Sequence, residues 1–205
     1  MILSDREIRA ALVRESIRIT PDPQTDPDVW TSTALDLRLH AELTRWVFPV
    51  DGEFLLHPAD PSFDFNAMLQ SYGQTIRIVP EGHVVRPGQF YLGWTIERLQ
   101  LPFRSRIAAR VEGKSSLARL GLGVHVTAPT IHAGFGYKPK LPDYPGSPIQ
   151  LEIWNFGPVS VVLKTGMRIC QLIFETVDGT PEMGYEGRFS VQGPQAPAPA
   201  PCLGG

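Results

Sequence analysis

The sequence predicts a mainly β, single-domain protein with one short helix at its start. Several segments alternate apolar and polar residues with period two. They are separated by turns drawn from 20 prolines and 19 glycines in 205 residues. Helical spacing is confined to a few short stretches. A chain of this length supports one sizeable core, and residues 1 to 195 are assigned to it. Residues 196–205, in the run GPQAPAPAPCLGG, are low complexity with nothing to bury and are expected to be a disordered tail.

Taken in order, Ser4 and Glu7 form a capping box, Leu3 and Ile8 can staple it, and Ile8, Ala11 and Leu12 continue at helical spacing. After the loop TPDPQTDPD, Leu35, Leu37 and Leu39 point one way and Asp36, Arg38 and His40 the other, which predicts a half-buried strand. FDFNAMLQSYG can hold a helical turn. QFYLGWTI, RIAARVEG, IQLEIWNF and VSVVLKTG alternate as strands, and MRICQLIFETV is a more continuously apolar one. Between them, Ser115 or Ser116 can cap a short helix in SSLARLGLG that stops near Gly121 to Gly123.

Composition excludes several function classes. The formal net charge of -2 provides no global basic field for nucleic acid, although 15 of the 19 basic residues are arginine and could build a local anion site. Two cysteines, Cys170 and Cys202, support neither a disulfide framework nor a cysteine-rich metal site. No run approaches the ~18 apolar residues of a membrane span, and MILSDREIRAALVRE has no signal-peptide core, so a cytoplasmic location is expected. His40-Ala41-Glu42 matches half of the zinc deaminase signature, but no P-C-x-x-C follows, and neither a Walker A loop nor a G-x-S-x-G elbow occurs. His57 and His83, in Pro/Gly-rich surroundings, are read as surface residues.

Two segments carry chemistry. Gly113-Lys114-Ser115-Ser116-Leu117-Ala118-Arg119 puts hydroxyls, cations and free backbone N–H groups at a helix start, which is either an anion cradle or a capped surface helix. In IQLEIWN, Ile149, Leu151 and Ile153 share one strand face and Gln150, Glu152 and Trp154 the other. A carboxyl beside an aromatic surface is partly desolvated, which suits it to exchange protons near neutral pH. The alternative is an exterior glutamate beside a Trp154 that serves an interface.

GKSSLARLGLGVHVTAPTIHAGF, IQLEIWNFG and LKTGMRICQLIFE, with LSDREIRAAL, TSTALDLRL and VRPGQFYLGWTIERLQLP in the same order, resemble the dCTP deaminase family of the dUTPase-like superfamily. The resemblance covers most of residues 1 to 193. It implies a dUTPase-like distorted β-barrel of jelly-roll kind, assembled as a homotrimer with active sites at subunit boundaries. It also implies zinc-free hydrolytic deamination of dCTP to dUTP and ammonia, with Mg²⁺ bound through the triphosphate. Glu152 matches the catalytic acid/base, and Ser115 and Arg119 match residues that complete the site around base and water. Lys114, Ser116, Leu117 and Ala118 fall in the nucleotide-binding loop, Ala128 beside the water or amine, and Gln150 and Leu151 beside the base. Tyr185, Arg188 and Gln192 match a C-terminal segment that closes over the triphosphate, with Arg188 standing where lysine is usual. No residue is assigned to a metal.

The chain departs from the pattern in three places. His132 stands where the family has an aspartate that contacts the deoxyribose, and Pro129 replaces the usual Gly or His. Imidazole cannot accept on two oxygens as a carboxylate does, which argues against a dUTPase step. The loop of residues 136–148 is about ten residues longer than a tight hairpin, either a tolerated insertion or a rim element that alters substrate choice. Three readings follow: a dCTP deaminase, a deaminase acting on another cytosine nucleotide or continuing to dUMP, and a non-catalytic nucleotide-binding homologue.

Overall fold

Ser4 caps the first helix by accepting from the Glu7 backbone N–H at 3.4 Å. Asp5–Val13 is therefore helical (α1), with Ile8 and Ala11 buried toward the core. The computed structural model describes residues 1–50, 54–125, 127–141, 143–185 and 193–194. Arg188, Gln192 and the tail 196–205 lie outside the described residues. Among the described residues, no helix is long and apolar enough to cross a membrane.

The β expectation is met. The strands are β1 (Arg18–Thr20), β2 (Leu35–Trp46), β3 (Gly73–Arg77), β4 (His83–Val85), β5 (Phe90–Gln100) and β6 (Ile107–Gly113), followed by β7 (Leu122–Val124), β8 (Thr130–Ile131), β9 (Ser147–Asn155), β10 (Val161–Leu163) and β11 (Arg168–Thr176). Two further helices, α2 (Phe65–Tyr72) and α3 (Ser115–Ala118), interrupt them. Asp64 caps α2 by accepting from the Asn66 and Ala67 N–H groups.

One curled sheet runs β7-β9-β5-β2-β11-β6-β8, with β1 added to β5 and β3 to β2, while β4 and β10 form a separate pair. The long β2 changes partners along its length, pairing with β11 through Leu35–Arg38 and with β3 through Glu42–Trp46. Bending one strand across two partners lets the sheet close around a core that includes Leu37, Leu39, Leu43, Leu151, Ile153 and Phe174.

Alternation predicts Asp36 on an outer face, yet Asp36 is only 4% exposed. Lys114 Nζ donates to its carboxylate at 2.5 Å and Gln171 Nε2 at 3.1 Å, so the charge is buried but matched. The cap of α3 also differs from expectation: Lys114, not a serine, occupies the N-cap position, and no side chain closes it. His57 is exposed as read, but His83 is half-buried against Tyr91, with ring centroids 4.9 Å apart.

The strands beneath the site are held by a second buried carboxylate. Glu97, 5% exposed, accepts from the Arg38 backbone N–H at 2.8 Å and from Arg38 Nε at 2.6 Å. Its own backbone carbonyl accepts from Thr95 Oγ1, which in turn accepts from the Ile149 N–H of β9. Arg38 is partly exposed and keeps a longer contact to Asp26 at 3.7 Å, so what Glu97→Ala removes is the pair of charge-assisted hydrogen bonds. The loss expected is about 1.5–3 kcal/mol of stability, read as a fall in the urea midpoint with an unchanged slope.

Candidate active site

β9 pairs with β5 so that Leu92 lies opposite Glu152 and Phe90 opposite Trp154. The inner face of β9 is closed, with Ile149, Leu151 and Ile153 at most 1% exposed. The other face carries Gln150, Glu152 and Trp154, as period-two alternation predicts, and Trp154 is 44% exposed. Gln150 and Glu152 open onto a cavity of about 430 Å³ that also takes His125, Ala128, His132 and Tyr185. Trp46 and Phe65, in edge-to-face contact with centroids 6.1 Å apart, supply an apolar wall. A volume of this size is within the range of small-ligand sites.

Sequence reasoning passed over His125. It follows β7, and its backbone N–H donates to the Glu152 carbonyl at 2.9 Å, continuing the β7–β9 ladder for one more residue. At φ +57 it adopts a left-handed conformation that a side chain occupies only at a cost. Its Nδ1 then lies 3.5 Å from Glu152 Oε2. Both atoms are buried, and neither has a hydrogen-bond partner. That separation is longer than a charge-assisted hydrogen bond, so donor and acceptor capacity remains open at the cavity. The only signal for His125 in the sequence was a lone histidine in VHVTA, and pairing it with Glu152 required the strand register.

Burial pulls the His125 imidazole below its ordinary proton affinity, while the Glu152 carboxylate and a backbone hydrogen bond to Ala128 pull the other way. The net direction is down, so the ring is held neutral. A group whose folded pKa is depressed contributes stability that is full above its unfolded value, 6.5, and lost as pH falls through the folded value. Urea midpoints measured from pH 7.5 to 5 should therefore fall below about pH 6.5 in the wild type, and His125→Gln should flatten that slope.

His132 lies on the cavity rim, and its ring stacks on Tyr185 with centroids 5.1 Å apart and planes at 23°. Tyr185 is seated by a hydrogen bond from its N–H to the Ala133 carbonyl. Gly134 makes room for it: φ is +100 there, and a Cβ would sit 2.3 Å from the Tyr185 nitrogen. Leu151 is wholly buried and does not line the cavity.

Lys114, Ser115, Ser116, Leu117, Ala118 and Arg119 do not line this cavity. They follow β6 on α3, where Ser115, Ser116, Ala118 and Arg119 are exposed and Leu117 leans on the core. Lys114 is committed to Asp36. Arg119 makes no ion pair among the described residues. The turn after α3 is tied to the end of β9 by the Phe156 N–H donating to the Gly121 carbonyl at 2.8 Å. A Cβ on Gly121 would lie 2.2 Å from the Gly157 Cα, so this junction has no room for a side chain.

Residues 2–177 match the family described as dCTP deaminase-like. The chain belongs to that family. The match includes Glu152, His125 and α3 and ends before Tyr185. Among its relatives, the "dCTP deaminase, dUMP-forming" of Methanothermobacter thermautotrophicus is 36% identical over 185 residues, 90% of this chain and 83% of that protein. The "dCTP deaminase" of Rhodospirillum rubrum is 35% identical over 179 residues, 86% of this chain and 83% of the relative. The fold is shared with the crystal structure of 2'-deoxycytidine 5'-triphosphate deaminase from Agrobacterium tumefaciens, at a TM-score of 0.60 and 24% identity. That likeness covers 85% of this chain, which spans about half (48%) of the solved one.

Proposed function

We propose that this member of the dCTP deaminase-like family hydrolyses the cytosine amine of dCTP, giving dUTP and ammonia. The observation that carries the reading is the Glu152 carboxylate at the cavity wall, with one oxygen turned to a neutral, buried His125 at 3.5 Å. Glu152 takes a proton from water as its oxygen bonds to cytosine C4. The carboxyl delivers that proton to the ring nitrogen, takes the second proton from the new C4 hydroxyl and passes it to the amine; the C4–N bond breaks as the C4 carbonyl forms, ammonia leaves, and the carboxylate is regenerated. The neutral imidazole places its unpartnered Nδ1 beside the unpartnered Glu152 Oε2, where both can meet the attacking water or the amine. Gln150 and the Leu151 backbone fit the base edge, and the Ala128 region fits the water or amine. His132 over Tyr185 offers a ring surface to the sugar end.

Ser115 and Arg119 reach such a site only from another copy of the chain, and a homotrimer with sites at subunit boundaries supplies them. Two features support this assembly. The polar side chains of α3 face solvent outside their own cavity. The edge formed by β7 and the end of β9 exposes Leu120, Trp154 and Phe156 (45, 44 and 59%), with the last two rings stacked. Ser116, Leu117 and Ala118 would then offer backbone donors to the triphosphate, over which Tyr185, Arg188 and Gln192 close. Lys114 would position that loop through Asp36. Mg²⁺ would arrive with the triphosphate as part of the substrate. The proposed mechanism gives zinc no role.

A second reading, continuation to dUMP, is favoured by relatives that carry "dUMP-forming" in their names. Against it, Glu152 is the only acid lining the cavity among the described residues, and His132 occupies the rim. Incubation with Mg²⁺ and dCTP, following ammonia, dUTP, dUMP and pyrophosphate separately, tests both. Ammonia and dUTP in equal amounts are expected. Stoichiometric pyrophosphate and dUMP would establish the second reading, and binding without any product would overturn both.

A further inference from the structure

The long loop of residues 136–148 is not slack. Gln100 Nε2 donates to the Tyr144 carbonyl at 2.6 Å, Arg98 Nη1 to the Gly146 carbonyl at 2.9 Å, and Tyr144 Oη lies 2.9 Å from Ser147 Oγ. Pro139, Pro145 and Pro148 restrict it further. Held this way, its first half forms one wall of a cavity of about 340 Å³ distinct from the catalytic one. The wall carries Tyr137, Lys138 and Lys140, and the opposite side is Phe103 and Tyr185. Among the described residues no acidic side chain lines this space; Asp143 and Glu15 line an adjoining cleft that shares Tyr137 and Lys138 with it. Neither Lys138 nor Lys140 has an ion-pair partner among the described residues. A third cation, Arg104, lies over the Phe103 ring, 5.8 Å from its centroid.

Two unpaired ammonium groups beside three aromatic side chains ask for a ligand with both an anion and a flat ring. Lysines serve phosphate as mobile point charges, and nucleobases stack on aromatic faces whatever their identity. We propose that this pocket is a second binding site, for a nucleoside phosphate, separated from the catalytic cavity by the shared Tyr185 wall. Its phosphates meet Lys138 and Lys140, and its base lies against Tyr137 and Phe103. The site goes beyond the deaminase reading and does not depend on turnover.

Calorimetric titration of the full chain with ATP, a nucleotide without cytosine, and separately with inorganic tripolyphosphate tests it. Both should bind wild type, and the double variant K138E/K140E should weaken both by about tenfold or more. Y137A should weaken ATP by about tenfold while leaving tripolyphosphate within twofold. The milder K138Q/K140Q guards against misfolding and should keep the dCTP KM within about twofold of wild type. ATP binding that survives both lysine variants, or no binding of ATP at millimolar concentration, overturns the site. Equal loss of ATP and dCTP affinity would assign the lysines to the substrate instead, and binding of tripolyphosphate alone would reduce the pocket to an anion site.

Discussion

Glu152→Gln is expected to lower kcat for dCTP by roughly 10²–10⁴-fold, the range for loss of a positioned proton carrier. Glutamine keeps the shape and the face of β9 but cannot cycle a proton. KM should move little, because the amide still occupies the same place on the cavity wall beside Gln150. Steady-state ammonia release, with binding of dCTP measured separately, makes the distinction. Turnover within about threefold of wild type would remove Glu152 from the proton-transfer step. A parallel loss of binding would make it a contact to the base rather than the acid/base group.

Mixing two inactive variants should restore activity. Arg119 is exposed on α3 and outside the cavity of its own chain, whereas Glu152 is inside it. If sites form between copies, an E152Q chain supplies a good Arg119 and an R119A chain a good Glu152. Co-refolding the two in equal amounts should produce intact sites at about one quarter of the positions in a symmetric closed assembly. Each variant alone should stay near background, so the recovered ammonia release stands out by orders of magnitude. Recovery of nothing, with mixed assemblies verified by mass, would mean that Arg119 acts within its own subunit or not at all.

Period-two alternation made the face of Glu152 readable, because Ile149, Leu151 and Ile153 had to point into the core and left one orientation for the residues between them. The capped first helix was equally local: Ser4 and Glu7 are three residues apart and need nothing else to meet. Asp36 shows where this reading stops. Its place in the alternation is that of an outer residue, and only the approach of Lys114 and Gln171, 78 and 135 residues away, turned it into a buried carboxylate. His83, read as a surface residue, became half-buried for the same reason when Tyr91 came against it.

The sequence by itself determined the mainly β class, the family resemblance and the orientation of the strand that presents Glu152. These depend on local periodicity and on short motifs whose residues are close in the chain. Tertiary structure alone decided that His125 faces Glu152, since the β7–β9 register brings together residues 27 positions apart and a left-handed backbone turns the imidazole inward. It also decided that Lys114 faces Asp36 and that the loop of residues 136–148 is pinned into a cavity wall. Long-range pairing is governed by which strands meet and in what register, and no spacing within a single segment encodes that.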